Sequence, residues 1–339
     1  MDSNTAAWLT AAKSKPFQVQ PAPLWTPAEN EVLVRNRAVA INPVDGSLQS
    51  LAWWPLNYPT ILGQDIAGEV VAVGPNVTRF KYGDRVLGHA VGMATKRDQD
   101  NAFQAYTIVQ INMACEIPDK ISFESAAVIP LGCSTAASGL FQEAFLNLQF
   151  PTEPPQKPTG KILLVWGGAS SVGSNAIQLA IAAGYQVIST ASPKNFEYVK
   201  KLGASEVFDY KNASVGDDLV NTLSGKTIAG VFDCIGGPAW SICIDVIHKS
   251  TGTKFISTTK RGFPKPPEGV TIKQVFATTI KDNPVGEAVY KDFLPRALKA
   301  GVFIPAPEPL KAGEGLDSVQ RAVDLYETGV SARKVVVSL

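Results

Sequence analysis

Hydrophobic and polar positions follow two rhythms along this chain. In the first third, EVLVRNRAVAI (31–41), DIAGEVVAVG (65–74) and DRVLGHAV (84–91) show partial two-residue alternation, and Gly or Pro punctuates them. They predict short strands, and their spacing predicts a barrel-like, partly open β domain. From 161 onward the pattern is strand then helix, repeated. KILLVWG (161–167) is a continuous apolar run, as a strand covered on both faces requires. VGSNAIQLAIAAG (172–184) has helical spacing and stops at Gly. YQVISTAS (185–192), SEVFDY (205–210), AGVFDCIG (229–236) and TKFISTT (253–259) predict further strands, with helices at NFEYVKKLG (195–203) and DDLVNTLS (217–224). Such alternation predicts a parallel sheet with helices on both faces. Beyond about 300 the character is mixed again, with an amphipathic helix at 316–329 and a strand at 333–339. The Pro-rich FPTEPPQKPTG (150–160) reads either as an interdomain linker or as a surface loop placed just before a strand.

At 339 residues the chain is long enough for about two domains. A formal net charge of +1 gives no global field toward nucleic acid or a membrane surface. The opening residues lack the basic start and apolar run of a signal peptide, and no stretch reaches the ~20 apolar residues of a membrane span. Cys115, Cys133, Cys234 and Cys243 form no CxxC pair. A cytoplasmic protein with reduced thiols is expected.

The strand KILLVWG runs into Gly167-Gly168-Ala169-Ser170-Ser171-Val172-Gly173 and then a helix. A Gly-rich turn in that context presents backbone amides and a helix N-terminus to a pyrophosphate. Ser170 replaces the middle glycine of GxGxxG, but its hydroxyl can still donate to a phosphate oxygen; a plain strand–helix turn is the alternative. After the next strand, Ser192-Pro193-Lys194-Asn195 offers donors and a cation, and no carboxylate comes before Glu197. An acid there would favour a free ribose 2′-hydroxyl, whereas this set suits a 2′-phosphate. NADPH is therefore expected over NADH, the alternative for Lys194 being a solvated lysine at a helix start. Tyr210 ends the third strand and either packs beside the adenosine or is a half-buried strand-end tyrosine.

INPVDGS (41–47), GQDIAGEVVAVGPNVTRFKYGDRVLG (63–88), PLGCSTAASGLF (130–141), GGASSVG and ARKVVVSL occur in the order found in quinone oxidoreductase-like medium-chain dehydrogenases. The resemblance spans essentially the whole chain. The cluster Ser192-Pro193-Lys194-Asn195-Phe196 resembles the fungal trans-acting enoyl reductases of polyketide biosynthesis. The resemblance implies an α/β fold: a GroES-like distorted β-barrel catalytic domain (1–128 and 290–339) and an inserted Rossmann domain with a doubly wound parallel sheet (129–289). It implies that Asp45, Thr135, Ser170, Ser171, Val172, Ser192, Lys194, Asn195, Tyr210, Ser257 and Lys334 lie near the cofactor. It places Pro130, Leu131, Gly132 and Cys133 toward the substrate.

Zinc-dependent relatives carry a Cys, a GHE motif and a later Cys. This chain has Asn42-Pro43-Val44-Asp45 and Gly63-Gln64-Asp65 at the first two places, and only Cys133 at the third. About three ligands of the Cys, His, Asp or Glu kind are needed for catalytic zinc. No metal is expected, and Cys133 reads as a small buried residue near the nicotinamide. Without a metal to hold an alkoxide, the chemistry that fits is hydride addition to the β-carbon of an α,β-unsaturated carbonyl. Hydrogen-bond donors then stabilise the enolate, and a proton arrives at the α-carbon. Tyr58 is a candidate phenol donor, or else a packing tyrosine. Some enoyl reductases have a lysine shortly after NPVD; here Gly46 and Ser47 fill that stretch, leaving Ser47 or water as proton source.

The reaction implied is reduction of a polyketide enoyl thioester in secondary metabolism. The alternatives are a quinone or free-enone reductase, and a cofactor-binding protein without turnover. A carrier-bound substrate and a polyketide synthase partner are implied, for which Lys260, Arg261 and Lys265 are a candidate basic docking cluster or simply a solvated loop. A monomer is expected, with FISTT as the sheet edge if the chain pairs.

Overall fold

The computed structural model describes residues 3–339. The chain divides into two compact units, one running to Leu131 and resuming at Pro305, the other spanning Gly132–Ile304.

In the first unit, the strand Glu31–Ala40 pairs antiparallel with Asp65–Val73, Tyr106–Gln110 and Arg333–Ser338. Asp65–Val73 continues to Arg85–His89, and that strand to Ala114–Glu116. Val32, Val34, Val39, Ile66, Val70 and Val86 turn one set of alternating positions into a shared core. The register slips at Leu33/Val34 and Asn36/Ala38, which is why the alternation along 31–41 is only partial. This is the GroES-like barrel architecture expected.

The second unit is built on a parallel sheet in the spatial order Glu206–Asp209, Gln186–Ala191, Lys161–Trp166, Thr227–Asp233, Phe255–Thr258, Thr271–Gln274. Numbered by chain order along this path, the strands run 3-2-1-4-5-6, the doubly wound dinucleotide-binding order. The order reverses between Lys161–Trp166 and Thr227–Asp233, so the ligand crevice of this unit lies beyond Trp166 and Asp233. Ile162, Leu164, Ile228, Val231 and Ile256 bury the sheet against Leu219, Cys243 and Val246 of flanking helices.

Two expectations are corrected. FISTT is not an edge: Phe255–Thr258 pairs with Thr227–Asp233 on one side and Thr271–Gln274 on the other. The short strand TIKQ carries too little alternation to be read from sequence. Residues 290–304, expected with the barrel, pack in the second unit instead. The Tyr290 hydroxyl bonds Ser134 at 2.7 Å, and Ile304 exchanges bonds with the Gln178 side chain. The helix Pro130–Phe141 was not legible as such, because its small and apolar residues leave no polar stripe. No helix among the described residues is long and apolar enough to cross a membrane.

Candidate active site

The turn after Lys161–Trp166 is held by the neighbouring strand. The Gly167 amide donates to the Thr190 hydroxyl and the Gly168 amide to the Thr190 carbonyl. Gly167 has φ +88°, which favours glycine. A Cβ on Gly168 would lie 2.3 Å from Ser189 Oγ, and one on Gly173 would lie 2.3 Å from the Gly167 carbonyl oxygen. The backbone is therefore as closely packed as a pyrophosphate turn needs. Ser170 is the N-cap of the helix Ser171–Ala182: its hydroxyl accepts from the Gly173 amide and donates to the Gly167 carbonyl. That hydroxyl serves the turn, in contrast to the phosphate-donor role expected for it. The free hydroxyl is that of Ser171, whose Oγ is buried without a partner beside Gly132. The first helical amides, at Ser171 and Val172, have no intrahelical acceptor. A buried orphan hydroxyl at a helix N-terminus fits a dinucleotide phosphate.

Lys194 is exposed just past the strand Gln186–Ala191, in a short turn Pro193–Asn195 that follows Ser192. Glu197, the first acid after that strand, is paired with Lys200 at 3.2 Å. Tyr210 is 42% exposed at the end of its strand, with Lys211 near its ring. These groups share the carboxyl edge of the sheet. Ser257 does not join them: it is fully buried, and its hydroxyl donates to the Gly139 carbonyl. Thr135 is half-buried in the helix Pro130–Phe141, which also carries the four expected substrate-side residues. Cys133 of that helix is fully buried, and desolvation pushes its thiol far up, so it is inert as a thiolate.

In the first unit, a buried polar cluster forms where three strand ends meet. Asp65 opens its strand opposite Ala40 on one side and His89 on the other. Its Oδ1 accepts from the Leu131 amide, and its Oδ2 accepts from Asn42 Nδ2 at 2.8 Å and Lys334 Nζ at 2.9 Å. Lys334 also donates to Asn42 Oδ1. Both members of the ion pair are buried. Lys334 was expected beside the cofactor; its ammonium is spent on Asp65 and Asn42. Asn42 and Asp65 were seen only as missing metal ligands, and a lone Asp and Lys inside apolar strands were the available signal of a buried pair.

Asn42 caps the helix Pro43–Leu51, and Asp45 reaches back so that its Oδ2 accepts from the Asn42 amide at 2.8 Å. Asp45 is fully buried and its Oδ1 has no partner. Burial, aided by Asp65, pushes its carboxyl up to about 7, against the opposing pull of the Asn42 amide and Lys334. Asp45 lines a recess of about 70 Å³ with Leu48, Trp54, Leu56, Ile61 and Met93. The two expected catalytic residues are elsewhere. Ser47 donates to the Val44 carbonyl and accepts from Trp53 Nε1. Tyr58 packs against the barrel core, and the recess is lined by Leu56, Asn57 and Thr60 around it but not by Tyr58 itself.

His89 is also fully buried, and desolvation lowers it from 6.5 to about 4. The unfolded chain therefore binds a proton that the fold rejects. Its contribution to stability is complete above about pH 6.5 and is lost as pH falls toward 4. Asp45 works in the opposite direction, its contribution fading as pH rises through about 7. Comparing the wild type with His89→Gln isolates the histidine. The difference in unfolding free energy should shift by about 3 kcal/mol between pH 7 and pH 4, read by urea denaturation. A pH-independent difference would contradict a neutral buried imidazole.

The fold and the turn define a two-domain, NAD(P)H-binding oxidoreductase. Residues 28–119 match the alcohol dehydrogenase GroES-like domain family and residues 171–281 the zinc-binding dehydrogenase family. The chain is 64% identical over 337 residues to the zinc-binding alcohol dehydrogenase domain-containing protein cipB of Emericella nidulans, covering 99% of this chain and 98% of that one. It is 39% identical over 339 residues to the trans-enoyl reductase himH of Aspergillus japonicus, covering 99% and 97%. Escherichia coli quinone oxidoreductase complexed with NADPH has the same fold, with a TM-score of 0.73 at 22% identity over 100% of both chains. This chain belongs to the medium-chain dehydrogenase/reductase family, and fungal trans-enoyl reductases are among its relatives.

The zinc in those family descriptions does not fit these residues. Among the described residues no group of three or more His, Cys, Asp or Glu is arranged to hold a metal ion. Asp65 is already neutralised by the Lys334 ammonium. A nicotinamide dinucleotide does fit, on the Ser171 hydroxyl and the close-packed turn.

Proposed function

We propose that this chain is an NADPH-dependent reductase acting on an α,β-unsaturated carbonyl, with a polyketide enoyl thioester of secondary metabolism as substrate. The observation that carries the cofactor choice is exposed Lys194 past the second Rossmann strand, with the following acid, Glu197, paired to Lys200. A cation there attracts a 2′-phosphate and an unpaired acid would repel it. The trans-enoyl reductase himH, alike over nearly the whole length, supports the substrate class. So does the side-chain chemistry, since among the described residues no group of three or more His, Cys, Asp or Glu is arranged to bind the metal that would hold an alkoxide. When bound, the nicotinamide supplies hydride to the β-carbon. The protein's part is to hold the phosphates on the helix Ser171–Ala182 and to manage the charge and proton on the substrate.

Lys260, Arg261 and Lys265 are exposed in the loop after Phe255–Thr258, on the carboxyl edge of the sheet. This position suits an acidic carrier domain delivering the thioester.

The test is NADPH oxidation with a crotonyl thioester, compared with a small quinone. Turnover of the thioester alone supports the reading; turnover of the quinone alone replaces it with a quinone reductase. Tight NADPH binding with neither reaction would mean a binding protein. Lys194→Glu should raise KM for NADPH roughly 10- to 100-fold and leave KM for NADH nearly unchanged, since one charge-assisted phosphate contact is exchanged for repulsion. Equal effects on the two cofactors would remove the 2′-phosphate assignment.

A further inference from the structure

The recess in the barrel unit is lined by a buried carboxyl that caps the helix Pro43–Leu51 with one oxygen and leaves the other unpaired. Asp45 is fully buried, its Oδ2 is satisfied by the Asn42 amide, and its Oδ1 has no partner. Asp98, the other carboxyl in the lining, is already engaged, accepting from Thr60 Oγ1 at 2.7 Å and the Ile61 amide at 3.1 Å. A volume of about 70 Å³ admits a few heavy atoms, the size of a reacting double bond and its substituent. We propose that Asp45 is the acid that protonates the α-carbon of the substrate, a role that rests on the enoyl-reductase reading above.

The surroundings suit an acid that must hold a proton and then release it. Asp65, from the strand Asp65–Val73, opposes a second negative charge. Lys334, from the C-terminal strand, favours the carboxylate once the proton has left. His89, from Arg85–His89, is neutral. Tyr326, from the helix Val319–Glu327, is held protonated by burial and by Asp45. Glu327 of that helix lies over Gly46, and Lys96 also lines the recess. The remaining positions of Pro43–Leu51 carry no charge. Near neutrality this carboxyl is partly protonated, as a general acid working there should be.

The step balances. A bound reduced nicotinamide would supply hydride with its electron pair to the β-carbon and be oxidised in turn, and the substrate's π pair would become the enolate. The O–H bond of Asp45 breaks with its pair left on oxygen, while the enolate pair forms the new Cα–H bond. Water returns a proton to the carboxylate.

The experiment uses the full chain, NADPH and a 2-methyl-2-enoyl thioester in D2O. The wild type should place deuterium on the α-carbon in a single configuration, and kcat should fall as pH rises through about 7. Asp45→Asn should lower kcat by about 100-fold or more while the Kd for NADPH stays within a few-fold, and residual product should carry deuterium in mixed configuration. A nitroalkene probe separates the two half-steps. The variant should still transfer hydride to it but release the nitronate, where the wild type releases the nitroalkane. Wild-type turnover with Asp45→Asn matching it in rate and configuration overturns the proton donor alone. No oxidation of NADPH by the wild type against thioester or nitroalkene overturns the enoyl-reductase reading as well. Should the variant not fold, the wild-type profile decides, since a kcat that is flat over roughly pH 6–9 overturns the assignment.

Discussion

Replacing Gly173 with alanine should weaken NADPH binding by about 100-fold, close to 3 kcal/mol, with the protein still folded. The added Cβ would lie 2.3 Å from the Gly167 carbonyl oxygen and 2.8 Å from Gly168 Cα. Both are backbone atoms, so no rotamer change relieves the clash; the helix Ser171–Ala182 must move off the strand. Overpacking of this kind costs about 1–3 kcal/mol of stability. The larger effect falls on the ligand, because the Ser171 and Val172 amides and the Ser171 hydroxyl move together with the helix. Gly216 is the control. A Cβ there meets only Ile242 Cγ2 at 3.5 Å, and the residue sits inside the helix Val215–Leu223. Gly216→Ala should stabilise the chain by about 0.5–1 kcal/mol and leave NADPH affinity alone. Fluorescence titration with NADPH and thermal denaturation read both variants. Wild-type affinity in folded Gly173→Ala would show that phosphate binding does not depend on this turn.

Lys334→Met should destabilise the chain by about 3–5 kcal/mol, the cost of leaving a buried carboxylate without its partner. Methionine keeps the apolar stem, so the loss is chiefly electrostatic. Asp65 would retain the Leu131 amide and Asn42 Nδ2, but no positive charge. Adding Asp65→Asn to Lys334→Met removes the orphaned charge, so the double variant should recover about half or more of the loss. Urea unfolding of the wild type, both single variants and the double variant gives the coupling energy. Strictly additive losses would mean that the pair contributes little and that each residue matters only through packing.

The two units were legible to different depths. In the nucleotide unit the information is local. KILLVWG, the glycines at 167, 168 and 173, and the alternation after them specify strand, turn and helix from neighbouring residues, and the chain order of strands then restricts the topology. Lys194 was readable for the same reason, standing a few residues past a recognisable strand. Ser170 and Ser171 were both readable as candidates. Which hydroxyl caps the helix and which stays free depends on the path of the turn, and capping takes Ser170.

The barrel unit shows the reverse. Ser47 and Tyr58 have suitable chemistry and proximity in sequence to NPVD, yet Ser47 bonds within its own helix and to Trp53, and Tyr58 packs on the core. Asp45 was visible but ascribed to the cofactor, because its burial and unpaired oxygen exist only once the helix Pro43–Leu51 lies over the recess.

By itself the sequence determined the strand–helix rhythm, the Gly-rich turn, the lack of a zinc ligand set and the family. The first two rest on residues close together in the chain, where steric preference and hydrophobic period act directly, and the last two on the identities of residues in separated motifs, which are read without knowing their contacts. Tertiary structure alone decided that Lys334 meets Asn42 across 292 positions, that Asp65 accepts from both, and that the Asp45 carboxyl beside them is buried with one oxygen unpaired. Desolvation and Coulomb attraction act through space, so their outcome depends on which distant strand ends the barrel brings together.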